Sequence, residues 1–219
     1  MEGLAKTRLI PALGATGAAH LQAAMIEQTL RTCLRIAPRR VELWCAPKAA
    51  HPFFKAVERR FGVLLQEQQG TDLGERMFHA LSDALLRTEA AVLVGTDAPT
   101  IRASDLRSAA RALRSGTDAV LAPALDGGYV LIGVNRVDPG LFHEVEWSSP
   151  RVLAQTRERL RALNYRWREL RAHRDIDRPE DWAWLLQRAP EWAERLKRPL
   201  HLESSDAPKM PRLSATESE

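Results

Sequence analysis

Residues 90–101, AAVLVGTDAPTI, run five apolar residues into Gly95 and place an aspartate, Asp97, two positions beyond it. A carboxylate at the mouth of an apolar strand, in a turn stiffened by Pro99, suits a hard divalent cation. Such ions take oxygen ligands, commonly one or two protein carboxylates plus phosphate oxygens. The structural alternative makes Asp97 a helix cap, but the next helix starts near Ser104, seven residues on. An Asx-turn is the nearer option. A second acidic pair lies in RDIDRPEDW, where Asp175 and Asp177 share one side of an extended segment. Asp177 could equally serve a helix N-terminus, since Pro179 fits a first turn and Glu180 and Asp181 suit its dipole. The two roles are compatible, with Asp177 the better ligand of the pair. Asp126 precedes Gly127 and Gly128, which marks a hairpin turn. The same glycines let backbone approach a ligand, and the carboxylate can accept from a sugar or acceptor hydroxyl. Lys6 and Arg8, on alternate positions, suit phosphate oxygens.

These residues need elements to hold them. Apolar spacing predicts a helix over residues 15–36, a short strand over 41–46, a helix over 52–60 and a strand within GVLLQEQ. The loop QGTDLGERM leads into a helix ending near Arg87, and a strand at 91–94 follows. A helix from about Ser104 to Arg114 ends at Gly116. Strands at 119–122 and 129–134 join through the Asp-Gly-Gly turn. SSPRVLAQTRERLRAL reads as a helix with serine caps and proline in its first turn. A strand, YRWREL, and terminal helices carrying Trp182, Trp184 and Trp192 complete the pattern. Short apolar strands alternating with helices imply a mainly parallel sheet in a three-layer α/β/α arrangement, with ligands gathered beyond the strand carboxyl ends. Residues 1–197 are expected as one domain, and 198–219, rich in Ser, Pro, Glu and Lys, as a disordered tail.

Composition narrows the chemistry. The chain has 219 residues, 45% hydrophobic and 27% charged, and suits one α/β domain. No apolar run nears the roughly 20 residues of a bilayer span, and no signal peptide opens it. Cys33 and Cys45 form no metal-binding spacing, so a reducing cytoplasm is expected. The net charge of +4, mostly from arginine, favours anionic ligands, phosphates included. The basic stretch 157–174, with Tyr165 and Trp167, admits an RNA-binding reading, but a solvated helix face and a packed strand explain it better. GxxxxGK[ST], GxGxxG, HExxH and GxSxG are all missing, which disfavours ATPases, dehydrogenases, zinc proteases and serine hydrolases.

Six stretches, KTRLIPALG, QGTDLGERM, VGTDAPTI, APALDGGYVLIG, WSSPRVLAQT and RDIDRPEDW, occur in this order. Together they resemble a bacterial glycosyltransferase-like family described as radical-SAM/selenodomain-associated transferases, some of which are assigned to arsenosugar biosynthesis. The resemblance implies a GT-A-like, nucleotide-diphospho-sugar transferase fold, with Mg²⁺ or Mn²⁺. It implies Asp97 and Asp177 as metal ligands, with Lys6 and Arg8 on the donor phosphates. Asp72, Gly74, Glu75 and Arg76 would form the nucleotide side. Gly127, Gly128, Tyr129, Trp147 and Ser148 would line the sugar and acceptor side, with Asp126 as the candidate to position or deprotonate an acceptor hydroxyl. Members carry a first strand and a basic turn ahead of the segment matching residues 6–9. Here residues 1–5 precede it, so an unpaired position inside the sheet is expected.

The resulting expectation is a metal-dependent glycosyltransferase with a nucleotide-sugar donor and a small-molecule acceptor. A nucleotidyltransferase releasing pyrophosphate, and a non-catalytic nucleotide-binding protein, are the alternatives.

Overall fold

The computed structural model describes residues 6–197; the expected disordered tail lies outside them. Lys6 leads a 3₁₀ turn, Thr7–Leu9, which runs into α1 (Ile10–Leu34). There follow β1 (Glu42–Cys45), α2 (Pro52–Phe61), β2 (Leu64–Glu67), α3 (Leu73–Leu85), β3 (Ala91–Val94) and α4 (Ala103–Arg114). A hairpin of β4 (Ala119–Pro123) and β5 (Tyr129–Val134) precedes α5 (Val152–Ala162), β6 (Trp167–Glu169), α6 (Pro179–Arg188) and α7 (Glu191–Lys197).

The architecture is three-layer α/β/α. Alternation along β4 shows why: Ala119 and Leu121 pack with Met77 and Leu81 of α3 and Leu153 and Leu160 of α5. Val120 and Ala122 face the other way, against Leu106, Ala109 and Leu113 of α4. The first four of the five β4 residues are fully buried, so the strand reads as a continuous apolar run rather than an alternating one. Strand order is β3-β5-β4-β6, with β5 antiparallel to both neighbours and β4 parallel to β6. One reversed strand therefore interrupts a sheet that otherwise runs in one direction.

β1 and β2 form a separate parallel pair. Among the described residues β1 pairs with β2 alone and β3 with β5 alone, so each has an open edge. An Arg87–Glu42 ion pair of 2.6 Å ties the start of β1 to the turn before β3. The break falls where an unpaired position was expected. A cavity of about 540 Å³ opens between Trp44 and Leu65 of this pair and His79, Asp83 and Leu86 at α3. It contains none of the expected site residues.

Three local expectations change. Helix α1 begins five residues early, because residues before Gly14 already wind; Gly14 itself is non-helical at φ 68°. The segment Thr7–Leu34 is long enough to cross a bilayer and contains an 18-residue stretch of mean hydropathy 1.3. Its Leu21, Met25 and Leu30 are buried in the protein core. Helix α5 begins at Val152 without a serine side-chain cap; Ser149 Oγ accepts from the Arg151 N–H, and Ser148 is left-handed at φ 67°. Finally, α3 begins inside the stretch first read as loop, with Asp72 as its cap.

Candidate functional site

The ladder outlasts β3 by one bond, from the Gly95 N–H to the Val130 carbonyl at 2.8 Å, and the chain then turns through Thr96 and Asp97. Ala98, 1% exposed, pins the turn from beneath. Helix α4 is closed by its own Asp105, which accepts from the Arg102 N–H at 2.8 Å, so the Asp97 carboxylate is left for other partners. The Asp97 carbonyl accepts from the Ile176 N–H at 2.8 Å, which draws the segment after β6 against the turn. Ile176 is fully buried beside Leu9, Leu21, Met25 and Trp182. That apolar cluster fixes Leu9, and with it the turn carrying Lys6 and Arg8, alongside Asp177.

Four charged groups meet above this cluster. The Lys6 ammonium lies 2.9 Å from Asp97 Oδ2 and 3.7 Å from Asp177 Oδ1, its side chain 4% exposed. Arg8 Nη1 donates to Asp177 Oδ2 at 2.5 Å. From α1, Gln22 Nε2 donates to Asp97 Oδ1 and to Thr96 Oγ1, both at 3.2 Å. Lys6 holds a left-handed backbone, φ 50°, and its carbonyl accepts from the Leu9 N–H. The cap of α6 falls to Asp181, whose Oδ2 accepts from the Asp177 and Arg178 N–H groups. Asp177 is thereby released from capping.

Asp175 lies two residues before Asp177 in this segment. Burial pushes its carboxyl up from 3.8, the charges of Asp126 and Asp181 add to the rise, and Lys6 opposes it. Asp126 and Asp175 thus feel one another across the site. Asp126 Oδ1 also accepts from the Gly128 N–H at 3.0 Å, closing the turn. Gly127 has φ 94°, and a Cβ there would lie 2.1 Å from the Pro150 carbonyl oxygen. Its own carbonyl accepts from the Leu153 N–H, locking the Asp126 turn against the loop of Trp147 and Ser148.

The remaining expected residues fall into two groups. Asp72 accepts from the Glu75 N–H, Glu75 from Thr71, and Arg76 Nε donates to the Gly70 carbonyl. These bonds close the N-terminus of α3, and the Thr71 N–H bond holds the Glu75 carboxyl low. A Cβ on Gly74 would meet the Trp147 ring at 2.7 Å, so the nucleotide-side and acceptor-side residues touch here. Trp147 Nε1 is buried without a hydrogen-bond partner. The Tyr129 hydroxyl points to Met77 Sδ at 3.9 Å, and burial pushes its pKa up.

Two contributors escaped sequence reasoning. Gln22 reaches Asp97 from 75 residues away, and nothing in an apolar helix marks it. His173, 3% exposed, donates its N–H to the Pro123 carbonyl and accepts from the Leu125 N–H, fastening the Asp175–Asp177 segment beside the Asp126 turn. Its Nδ1 pairs with Thr100 Oγ1 at 3.1 Å, and burial pushes the imidazole pKa down.

Among the described residues no group of three or more His, Cys, Asp or Glu side chains is arranged to hold a metal. Asp97 and Asp177 nevertheless reach one cationic centre, the Lys6 ammonium, and their side chains are 46% and 33% exposed. Two hard oxygen donors open to solvent fit a divalent cation that completes its shell with phosphate and water.

The chain resembles a crystal structure from Desulfovibrio desulfuricans G20, provisionally assigned as a nucleotide-diphospho-sugar transferase. Identity is 26%, the TM-score is 0.76, and the match covers 90% of this chain and 92% of that one. CMP:2-keto-3-deoxy-manno-octonic acid synthetase, complexed with CTP, shares the fold at 13% identity and a TM-score of 0.53, over 76% of this chain and 88% of its own. No curated protein matches the chain. The GT-A-like class of the fold is thus established, and residues 29–149 place the chain in the bacterial family described as "uncharacterized protein conserved in bacteria", DUF2064.

Proposed function

We propose that the chain is a metal-dependent glycosyltransferase, of the radical-SAM/selenodomain-associated type, working in the cytoplasm on a nucleotide-diphosphate sugar and a small-molecule acceptor. The observation that carries this reading is the meeting of Lys6, Arg8, Asp97 and Asp177 at the strand ends. The 26% identical neighbour, provisionally assigned as a nucleotide-diphospho-sugar transferase and matched over nine-tenths of both chains, supports it.

Asp97 and Asp177 would hold Mg²⁺ or Mn²⁺, which when bound neutralises charge on the leaving diphosphate. Lys6 and Arg8 bind the phosphate oxygens as charge-assisted donors. The first turn of α3, with Asp72, Gly74, Glu75 and Arg76, faces the nucleotide. Gly127, Gly128, Tyr129, Trp147 and Ser148 shape the acceptor side. Asp126 accepts a hydrogen bond from the acceptor hydroxyl and takes its proton as the acceptor oxygen bonds to the sugar's anomeric carbon and the bond to the diphosphate breaks.

Product identity tests the reading. Protein is incubated with a panel of sugar nucleotides and nucleoside triphosphates, with Mn²⁺ or Mg²⁺, and released phosphates are followed by ³¹P NMR. Nucleoside diphosphate release is expected. Pyrophosphate release would reassign the chain to nucleotidyl transfer, and binding without any release would make it a non-catalytic nucleotide binder.

A further inference from the structure

All four carboxylate oxygens of Asp97 and Asp177 are engaged by the protein's own donors. Asp97 Oδ1 takes Gln22 and Oδ2 takes Lys6; Asp177 Oδ1 takes Lys6 and Oδ2 takes Arg8. Two acidic side chains therefore face two basic ones, and the charges of these four groups cancel, with the carboxyls of Asp126 and Asp175 near by. A divalent cation approaching Asp97 and Asp177 must compete with two resident positive charges. The residents differ in mobility: Lys6 is buried, whereas the Arg8 side chain is 62% exposed. An exposed ion pair is weak and readily exchanged for another anion.

We propose that Lys6 and Arg8 form a charge-compensating latch over Asp97 and Asp177, and that donor phosphates must draw these cations away before the carboxylates accept a divalent cation. Nucleotide and metal then bind as a coupled pair. By linkage, each strengthens the other by the same factor. The inference rests on the metal site proposed above and adds its regulation: the empty protein discriminates against free metal, and the donor opens the site.

The test measures Mn²⁺ affinity without nucleotide, from the EPR signal of the free ion, in the full chain. Wild type is compared with Arg8→Gln and Lys6→Met, and folding is checked by circular dichroism. Removal of one resident charge is expected to tighten Mn²⁺ binding roughly tenfold or more. Arg8→Gln alters an exposed side chain, so the comparison stands even where Lys6→Met does not fold. Adding Asp97→Asn to Arg8→Gln is expected to abolish the gain. Equal or weaker binding by Arg8→Gln, with binding still dependent on Asp97, overturns the latch and leaves the metal site intact. Binding that survives Asp97→Asn overturns both.

Discussion

At the scale of single residues, the site depends on side chains freed from structural duty. Asp177 had a plausible capping role in the sequence and Asp97 a remote one, and in the structure Asp181 and Asp105 cap those helices. Gly127 shows the opposite case, a position where backbone conformation leaves no choice. Its φ of 94° and the Pro150 carbonyl 2.1 Å from a would-be Cβ both exclude a side chain. Gly127→Ala is expected to lower stability by about 1–3 kcal/mol and to loosen the Asp126 turn from the Trp147 loop. Chemical denaturation and the tryptophan emission of Gly127→Ala would show it; an unchanged midpoint and spectrum would refute the packing described.

At the scale of elements, aspartates act as clamps. Asp118, 9% exposed at the head of β4, accepts from the Arg166 N–H at 2.8 Å and so holds the edge strand β6 in register. The Arg166 backbone bond keeps its carboxyl below the usual 3.8, with the Arg166 and Arg136 charges adding to the fall. A depressed folded pKa means the stabilisation is complete above 3.8 and is lost as pH falls through the folded value. Asp118→Asn should therefore cost about 1–3 kcal/mol at neutral pH, with the gap to wild type closing in acid. Urea titrations at pH 7 and pH 3 measure this, and a gap that stayed constant would locate the effect elsewhere.

How far elements were legible follows from where their signals lie. The four-residue core of β3 and the Tyr129–Val134 strand stand out because their apolar runs are continuous. The start of α3 was hidden because QGTDLGERM carries two glycines, yet Asp72 and Glu75 close a helix there. Gln22 and His173 carried no local signal at all; their roles exist only once α1 and the segment after β6 pack against the Asp97 turn.

At the scale of the whole molecule, function follows from how two halves of the strand layer frame one set of helices. Helix α1 packs its Ile26 and Leu30 against β1 and its Leu21 and Met25 under the charged cluster, so it spans from one sheet to the site of the other. Among the described residues β1 and β3 each keep an unpaired edge. The net charge of +4 favours anions in general, and in the proposed function the Lys6–Arg8 pair is their address. The central claim is that this address is a metal-assisted diphosphate site. Its most direct measurement is calorimetric titration of sugar nucleotides into wild type and Asp97→Asn, each with Mn²⁺. The account predicts that Asp97→Asn weakens donor binding roughly 100-fold or more while the fold is retained. Donor binding of equal strength in the two proteins, with the same dependence on Mn²⁺, would contradict it.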